Sequence, residues 1–356
     1  MITAALFLWL ALQGVSPEGA QHMQAGVEAH KQGQLDVAIK EFRKATESDP
    51  NLAEAFLDLG EVCQETRDFP AAVAALKRAL ELSPELDAAH LQLGYALLAQ
   101  GYAEEAIPHL DRVHALEALG VAQIETERYE AAVANLSAAL VKRPGNPDLL
   151  YYLGRASGLL SKRAIDSLLD AYPNSARSHQ AMGENYLVLR QMPQAETEFT
   201  EALLQRPEIP GLHLELGLVY AGGARWDKAE EEFRVETRMQ PGNAEAAYRL
   251  GAALLQQGKA HEARQELERA DQLGPDMPET LYSLGKAASL DGNPVAAEKA
   301  WTRVIELEKE SSLSAQAHFG LANLYRKRGN AAKSEREMQE YKRLQDKVAK
   351  AQNPPS

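Results

Sequence analysis

The chain has 356 residues, 45% hydrophobic and only 6% aromatic, which supplies packed cores from residues that favour helix over strand. A formal charge of −13 excludes non-specific binding to nucleic acid, because the average surface repels a phosphate backbone. The lone cysteine, Cys63, excludes internal disulfides and leaves the compartment unreadable from redox chemistry.

Ile2 to Leu12, ITAALFLWLAL, is an uninterrupted apolar run too short to span a bilayer and of the length of a secretory signal core. No Lys or Arg precedes it. Gly14 and Ser16 offer small residues for cleavage, although Pro17 directly after them is a poor neighbour. Residues 1–17 therefore read as a signal peptide, which would make the protein exported, periplasmic or secreted. The alternative is a retained segment that anchors the chain to a membrane. No cysteine lies near the run, so there is no lipoprotein-type attachment point.

From there a period governs the chain. Glycines recur in one local context at Gly26, Gly60, Gly94, Gly120, Gly154, Gly183, Gly217, Gly251 and Gly285, with Ala322 in the last equivalent place. The step is 34 residues, broken by two deletions (26 and 29) and one insertion (37). Inside each copy the apolar spacing is helical: Phe56, Leu59, Gly60 and Cys63 form one stripe and Ala72, Leu76, Ala79 and Leu80 a second, separated by a turn at Arg67 to Phe69. Each copy thus predicts two antiparallel helices, held close by the small residue, ended by a proline such as Pro207 or Pro241, and followed by polar residues that can cap the next helix.

Read in order, residues 19–112 hold copies one to three, 113–175 copies four and five with the deletions, and 176–348 copies six to ten with a C-terminal capping helix. Residues 349–356 are expected to be a disordered tail. The first deletion removes eight residues between Leu110 and Leu119. The second falls in YYLGRASGLLSKRAIDSLLDAYP, residues 151–173, where Ile165 and Leu168 take second-helix core places and Ser161 is placed to cap a shortened helix. Both gaps read as joints rather than sites. The stripe Met338, Tyr341, Leu344 and Val348 gives the last helix one apolar side. Between Arg326 and Lys350 nine Lys or Arg stand against four Asp or Glu, a local +5 that leaves −18 elsewhere.

The copy from Pro210 to Asn243, with Leu216, Gly217, Tyr220, Trp226, Ala229, Phe233 and Pro241, resembles a tetratricopeptide repeat, although Glu236 replaces a later Ala. The resemblance runs from about Gly19 to Lys347 in ten copies. It implies an all-α, right-handed superhelical solenoid of antiparallel helix pairs, in which no copy is stable alone and first helices line a concave face.

Chemistry is sparse. His90, His179, His213 and His318 share one repeated place, and their spacing does not converge as metal ligands must, so they read as imidazoles packed between helices. HEARQ at His261 has Gln265 where a metalloprotease helix needs its second His. Cys63 lies on an apolar stripe and reads as a buried, inert thiol. No Walker loop, dinucleotide fingerprint or nucleophile elbow is present, so neither an enzyme nor a cofactor is expected.

What remains is the surface that the resemblance makes concave. One inward row reads Leu214, Tyr248, Tyr282 and Phe319 in four consecutive copies, with Tyr151 earlier; a neighbouring row adds Leu218, Lys286 and Asn323. These are the expected partner contacts, with Glu245, Glu279, Lys286 and Arg326 setting direction; the equal alternative is that the rings pack adjacent repeats and expose only their edges. The Lys, Asn and Arg clamp of chaperone-binding repeats and the asparagine ladder of sugar-transferase repeats are both absent. The expected function is a non-enzymatic scaffold that binds a segment of another protein. The alternatives are a membrane-anchored assembly or chaperone-like adaptor and an envelope glycan-binding receptor. Membrane contact is expected only if the N-terminal segment is retained, and a homodimer is left open.

Overall fold

The computed structural model describes residues 15–352; the run Ile2 to Leu12 and the last four residues lie outside it. Among the described residues there are nineteen α-helices and no strand. The chain forms two compact units, residues 1–164 and 165–356.

In the first unit, four helix pairs follow one another: α1 (Pro17–Lys31) with α2 (Leu35–Ser48), α3 (Ala53–Glu65) with α4 (Phe69–Leu82), α5 (Asp87–Ala99) with α6 (Ala103–Arg112), and α7 (Leu116–Glu125) with α8 (Tyr129–Lys142). Helix α9 (Pro147–Ala171) comes next, and the division between the units falls inside it. Five pairs make up the rest of the second unit. They are α10 (Ala176–Val188) with α11 (Met192–Gln205), α12 (Leu212–Gly222) with α13 (Trp226–Met239), α14 (Ala244–Gln256) with α15 (Ala260–Leu273), α16 (Pro278–Leu290) with α17 (Pro294–Leu307), and α18 (Ser312–Lys327) with α19 (Ala331–Gln352).

The pairing rests on one repeated contact. In eight pairs the repeat glycine of the first helix faces a large residue sixteen places on, in the second helix. A Cβ built on Gly217 would lie 2.4 Å from Phe233, one on Gly60 2.5 Å from Leu76, one on Gly94 2.5 Å from Leu110 and one on Gly285 2.5 Å from Trp301. Those four partners are at most 5% exposed. Seven residues after the glycine, or after Ala322 in the last pair, nine pairs turn through a positive φ, at Gly33, Arg67, Gly101, Glu127, Arg190, Ala224, Gly258, Gly292 and Gly329. Four of these carry side chains, so the turn costs each of those pairs roughly 1 kcal/mol. The packing it permits offsets that cost.

Helix starts are less uniform than the sequence suggests. Asn243 accepts from the Ala246 N–H at 3.1 Å, as expected of a polar residue after a closing proline. The cap positions of α3 and α5 are instead Leu52 and Leu86, neither of which makes a side-chain bond. Glu236, in the place of an alanine, is fully buried, and its Oε1 accepts from the Gly211 N–H at 3.0 Å. Gly211 is the cap of α12 and has no side chain to serve its own helix. The carboxylate of α13 does so from outside.

The fifth copy departs from expectation. Residues 147–171 form one continuous helix, so Ser161 caps nothing and no second helix folds back. Five missing residues remove the length needed for the turn, and Ser161 occupies the place where the other nine pairs turn. Gly154 accordingly has nothing within 4 Å of a built Cβ, and Ile165, expected in the core, is 39% exposed. The opposite side of α9 is still packed, with Leu149 and Ala156 fully buried against Ile124, Leu136 and Ala139. At the C-terminal end Leu344 is buried and Tyr341 half-buried, in keeping with a capping stripe, and α19 continues to Gln352.

If the glycine contact sets the pairing, Gly217→Ala should lower stability by about 1–3 kcal/mol, because Phe233 is locked on all sides. Gly242→Ala, with open space around it, should stay within about 0.5 kcal/mol. Urea unfolding followed by circular dichroism measures both.

Candidate functional site

In the second unit, successive first helices approach one another, α10 with α12, α14 with α16 and α16 with α18, and no two successive second helices come as close. The first helices therefore line the inner side of this unit's curve. Leu214 and Leu218 of α12 and Tyr248 of α14 are half-buried against the main core, and Tyr282 of α16 is half-buried against the terminal core. Phe319 of α18 is 43% exposed, its ring 5.1 Å from that of Tyr341. The four-residue row is thus partly committed to packing and partly open.

The charged residues named with it are arranged differently. Glu245 accepts from Arg249 at 2.6 Å, and that guanidinium lies 5.3 Å from the Tyr248 ring centroid, so Glu245 is occupied within its own helix. Asn323 Oδ1 accepts from Arg326 at 2.9 Å. Glu279 and Lys286 are exposed. The Tyr282 backbone carbonyl accepts from the Trp301 indole N–H at 3.2 Å, which ties the row to the core, and burial pushes the Tyr282 hydroxyl pKa up. Tyr151 belongs to α9 within the first unit, is 65% exposed, and stacks edge-on against Tyr152.

The histidines are more than packing residues. His179, His213 and His318 each donate from Nδ1 to a glutamate nineteen residues on, Glu198, Glu232 and Glu337, at 2.6 to 2.7 Å, and His22 does the same to Glu41. Each bond joins the two helices of one pair. In the third pair the glutamate is replaced by His109, whose Nδ1 lies 2.7 Å from that of His90. Burial first, and the neighbouring His90 second, push the pKa of His109 down. Sequence reading found the repeated histidine and missed its partner; the nineteen-residue offset was there to be found. Cys63 is buried as expected, and burial raises its pKa.

On the first helices of the first unit, Asp58 is half-buried close to Glu61 and Glu54. Burial, then the charge of Glu61, push its carboxyl from the ordinary 3.8 up to about 7. Gln92 reaches Glu61 at 3.2 Å, and His30 pairs with Glu65 at 2.7 Å. Among the described residues no group of three or more His, Cys, Asp or Glu could hold a metal, and no helix is long and apolar enough to cross a membrane. A cavity of about 680 Å³ in the second unit is lined by residues of α15, α16 and α17, among them Leu281 and Leu284, and by none of the inward row. Its Arg303 is already held by Asp276 at 2.6 Å and Glu306 at 3.1 Å.

A family model described as tetratricopeptide repeat matches residues 23–85, 64–116, 117–157, 181–244, 214–278 and 282–349. The peroxisomal targeting signal receptor of Candida albicans is 25% identical over 250 residues, 68% of this chain and 39% of that protein. DnaJ homolog subfamily C member 3 of Bos taurus is 32% identical over 93 residues, 26% of this chain and 18% of that one. The chain therefore spans well under half the length of either relative. Among solved structures, MamA protein aligns with a TM-score of 0.47 and 19% identity over 52% of this chain and 98% of that chain. Yeast Tom70 aligns at 0.39 and 14% over 92% of each.

Because the folded protein holds the Asp58 proton more tightly than the unfolded chain does, ionising this carboxyl costs stability. The cost is absent below 3.8, grows as pH rises and levels off above about 7. Asp58→Asn should raise the unfolding free energy by on the order of 2 kcal/mol at pH 8 and change it little at pH 4. Urea midpoints at the two pH values measure this, and an equal effect at both would contradict it.

Proposed function

The chain belongs to the tetratricopeptide repeat family, and we propose that it is a non-enzymatic interaction scaffold whose second unit holds a segment of another protein along Leu214, Tyr248, Tyr282 and Phe319. The observation that supports this reading most is that four consecutive first helices each present a large apolar side chain on the inner side, none fully buried. Tyrosine suits such a row. Its ring gives contact area at little rotamer cost, and its hydroxyl can meet backbone groups of an extended chain. Exposed Glu279 and Lys286 lie one helical turn to either side of Tyr282 and would read the direction and charge of the bound segment. Glu245 would take part only by exchanging Arg249 for a ligand cation. A receptor for a targeting signal among the similar proteins fits peptide recognition. Export remains a proposal that rests on Ile2 to Leu12 alone.

Anchors of this kind contribute about 1–2 kcal/mol each, so removing two should weaken binding tenfold or more. Affinity capture from cell extract with the Tyr248→Ala, Tyr282→Ala double variant should therefore lose a defined set of proteins that the unaltered chain retains, at unchanged helicity. If both forms retain the same set, the row serves packing alone.

A further inference from the structure

Of the five pairs in the second unit, four carry a glutamate fifteen residues after the repeat glycine or after Ala322: Glu198, Glu232, Glu266 and Glu337. Three of these bond to a histidine of the first helix, and Glu266 accepts from Arg269 at 3.3 Å. In the pair of α16 and α17 that place holds Ala300, opposite Leu281. Both residues line the cavity of about 680 Å³, together with Leu284. A methyl group where the other pairs have a carboxylate leaves room, and leucine in the place of histidine makes the floor apolar.

The walls have a different character. Asp271 of α15 stands half-buried at the cavity and has no hydrogen-bond or ion-pair partner among the described residues. Five carboxylates line the space against two cations, Lys299 and Arg303, and Arg303 is already held by Asp276 and Glu306. The side formed by α17 runs from Ala296 to Glu306, about 15 Å along the helix, so the space is a trough rather than a hole. An extended chain rises about 3.3 Å per residue, and about four or five residues fit that length.

We propose that this trough binds a short basic segment of a partner other than the one held on the inward row, none of whose residues lines it. One apolar side chain of the segment rests on Leu281, Leu284 and Ala300, and a neighbouring lysine or arginine meets Asp271. The volume lies within the ~300–1,000 Å³ of ligand sites, and the excess of carboxylates selects against acidic segments. Lysine and arginine suit the edge of such a space because their methylene stems cover apolar surface while the charge stays in water. A charge pair at the rim gives selectivity more than affinity, so the apolar floor carries most of the binding.

Fluorescence anisotropy of a labelled pentapeptide, Lys-Leu-Lys-Leu-Lys, titrated with the full chain at low ionic strength tests this. Saturable binding is expected, and Glu-Leu-Glu-Leu-Glu should not bind. Ala300→Gln, which restores the side-chain length of the other pairs without their charge, should weaken binding about tenfold or more. Asp271→Asn should weaken it about threefold. Glu201→Gln, an equal loss of charge at an exposed place in α11, should leave it unchanged. Asp271 has no partner to lose, so its variant reads the site even if Ala300→Gln is overpacked, and circular dichroism checks the folding of both. No saturable binding would overturn the proposal, as would unchanged affinity in Asp271→Asn. Equal weakening by Asp271→Asn and Glu201→Gln would overturn it too, because the peptide would then be held by the acidic surface at large.

Discussion

The contact between a glycine in one helix and a large side chain sixteen residues later, in the next, holds this protein together. It is a contact of shape. Glycine removes the Cβ, the helices close, and Phe, Leu or Trp fills the space at interior density. The contact works only if the intervening turn has its full length, and for that reason four pairs accept a left-handed residue other than glycine at the turn. When five residues are lost the turn cannot form. The glycine is left uncovered and the chain continues as one helix to Ala171.

Beside that contact five pairs have a second, polar link. Where the first helix has His, the second has Glu, in four pairs, or His109 in one. Where the first helix has Phe56 or Leu281, the second has Ala75 or Ala300, both buried. A half-buried polar group here is matched by a polar group, as the cost of leaving a donor unsatisfied requires, whereas an apolar one faces either kind, with Leu116 opposite Asn135 and Ala247 opposite Glu266. The pairs therefore agree in geometry while differing in chemistry.

Much of the fold was legible in the sequence because the 34-residue step marks a recurring packing solution, and nine of the ten expected pairs lie where the step put them. The exception was not legible. The apolar pattern of residues 161–172 suits a second helix, and Ser161 suits a cap, but pattern does not report whether enough chain remains to turn. Glu236 was visible as a misfit, yet its role depends on Gly211, twenty-five residues away, having no side chain of its own. The inward row was legible as a row. Its state was not, because half-burial of Tyr248 and Tyr282 and the capture of Glu245 by Arg249 are set by neighbours that the periodicity does not order.

The first helices of the second unit carry large, incompletely buried side chains spaced one helix pair apart, a spacing that suits the proposed extended or helical segment. Amide hydrogen exchange of the full chain, with and without a bound partner, tests that account most directly. Added protection should fall on α12, α14, α16 and α18 and leave α13, α15 and α17 unchanged. Protection centred on the second helices, or on the first unit, would contradict it.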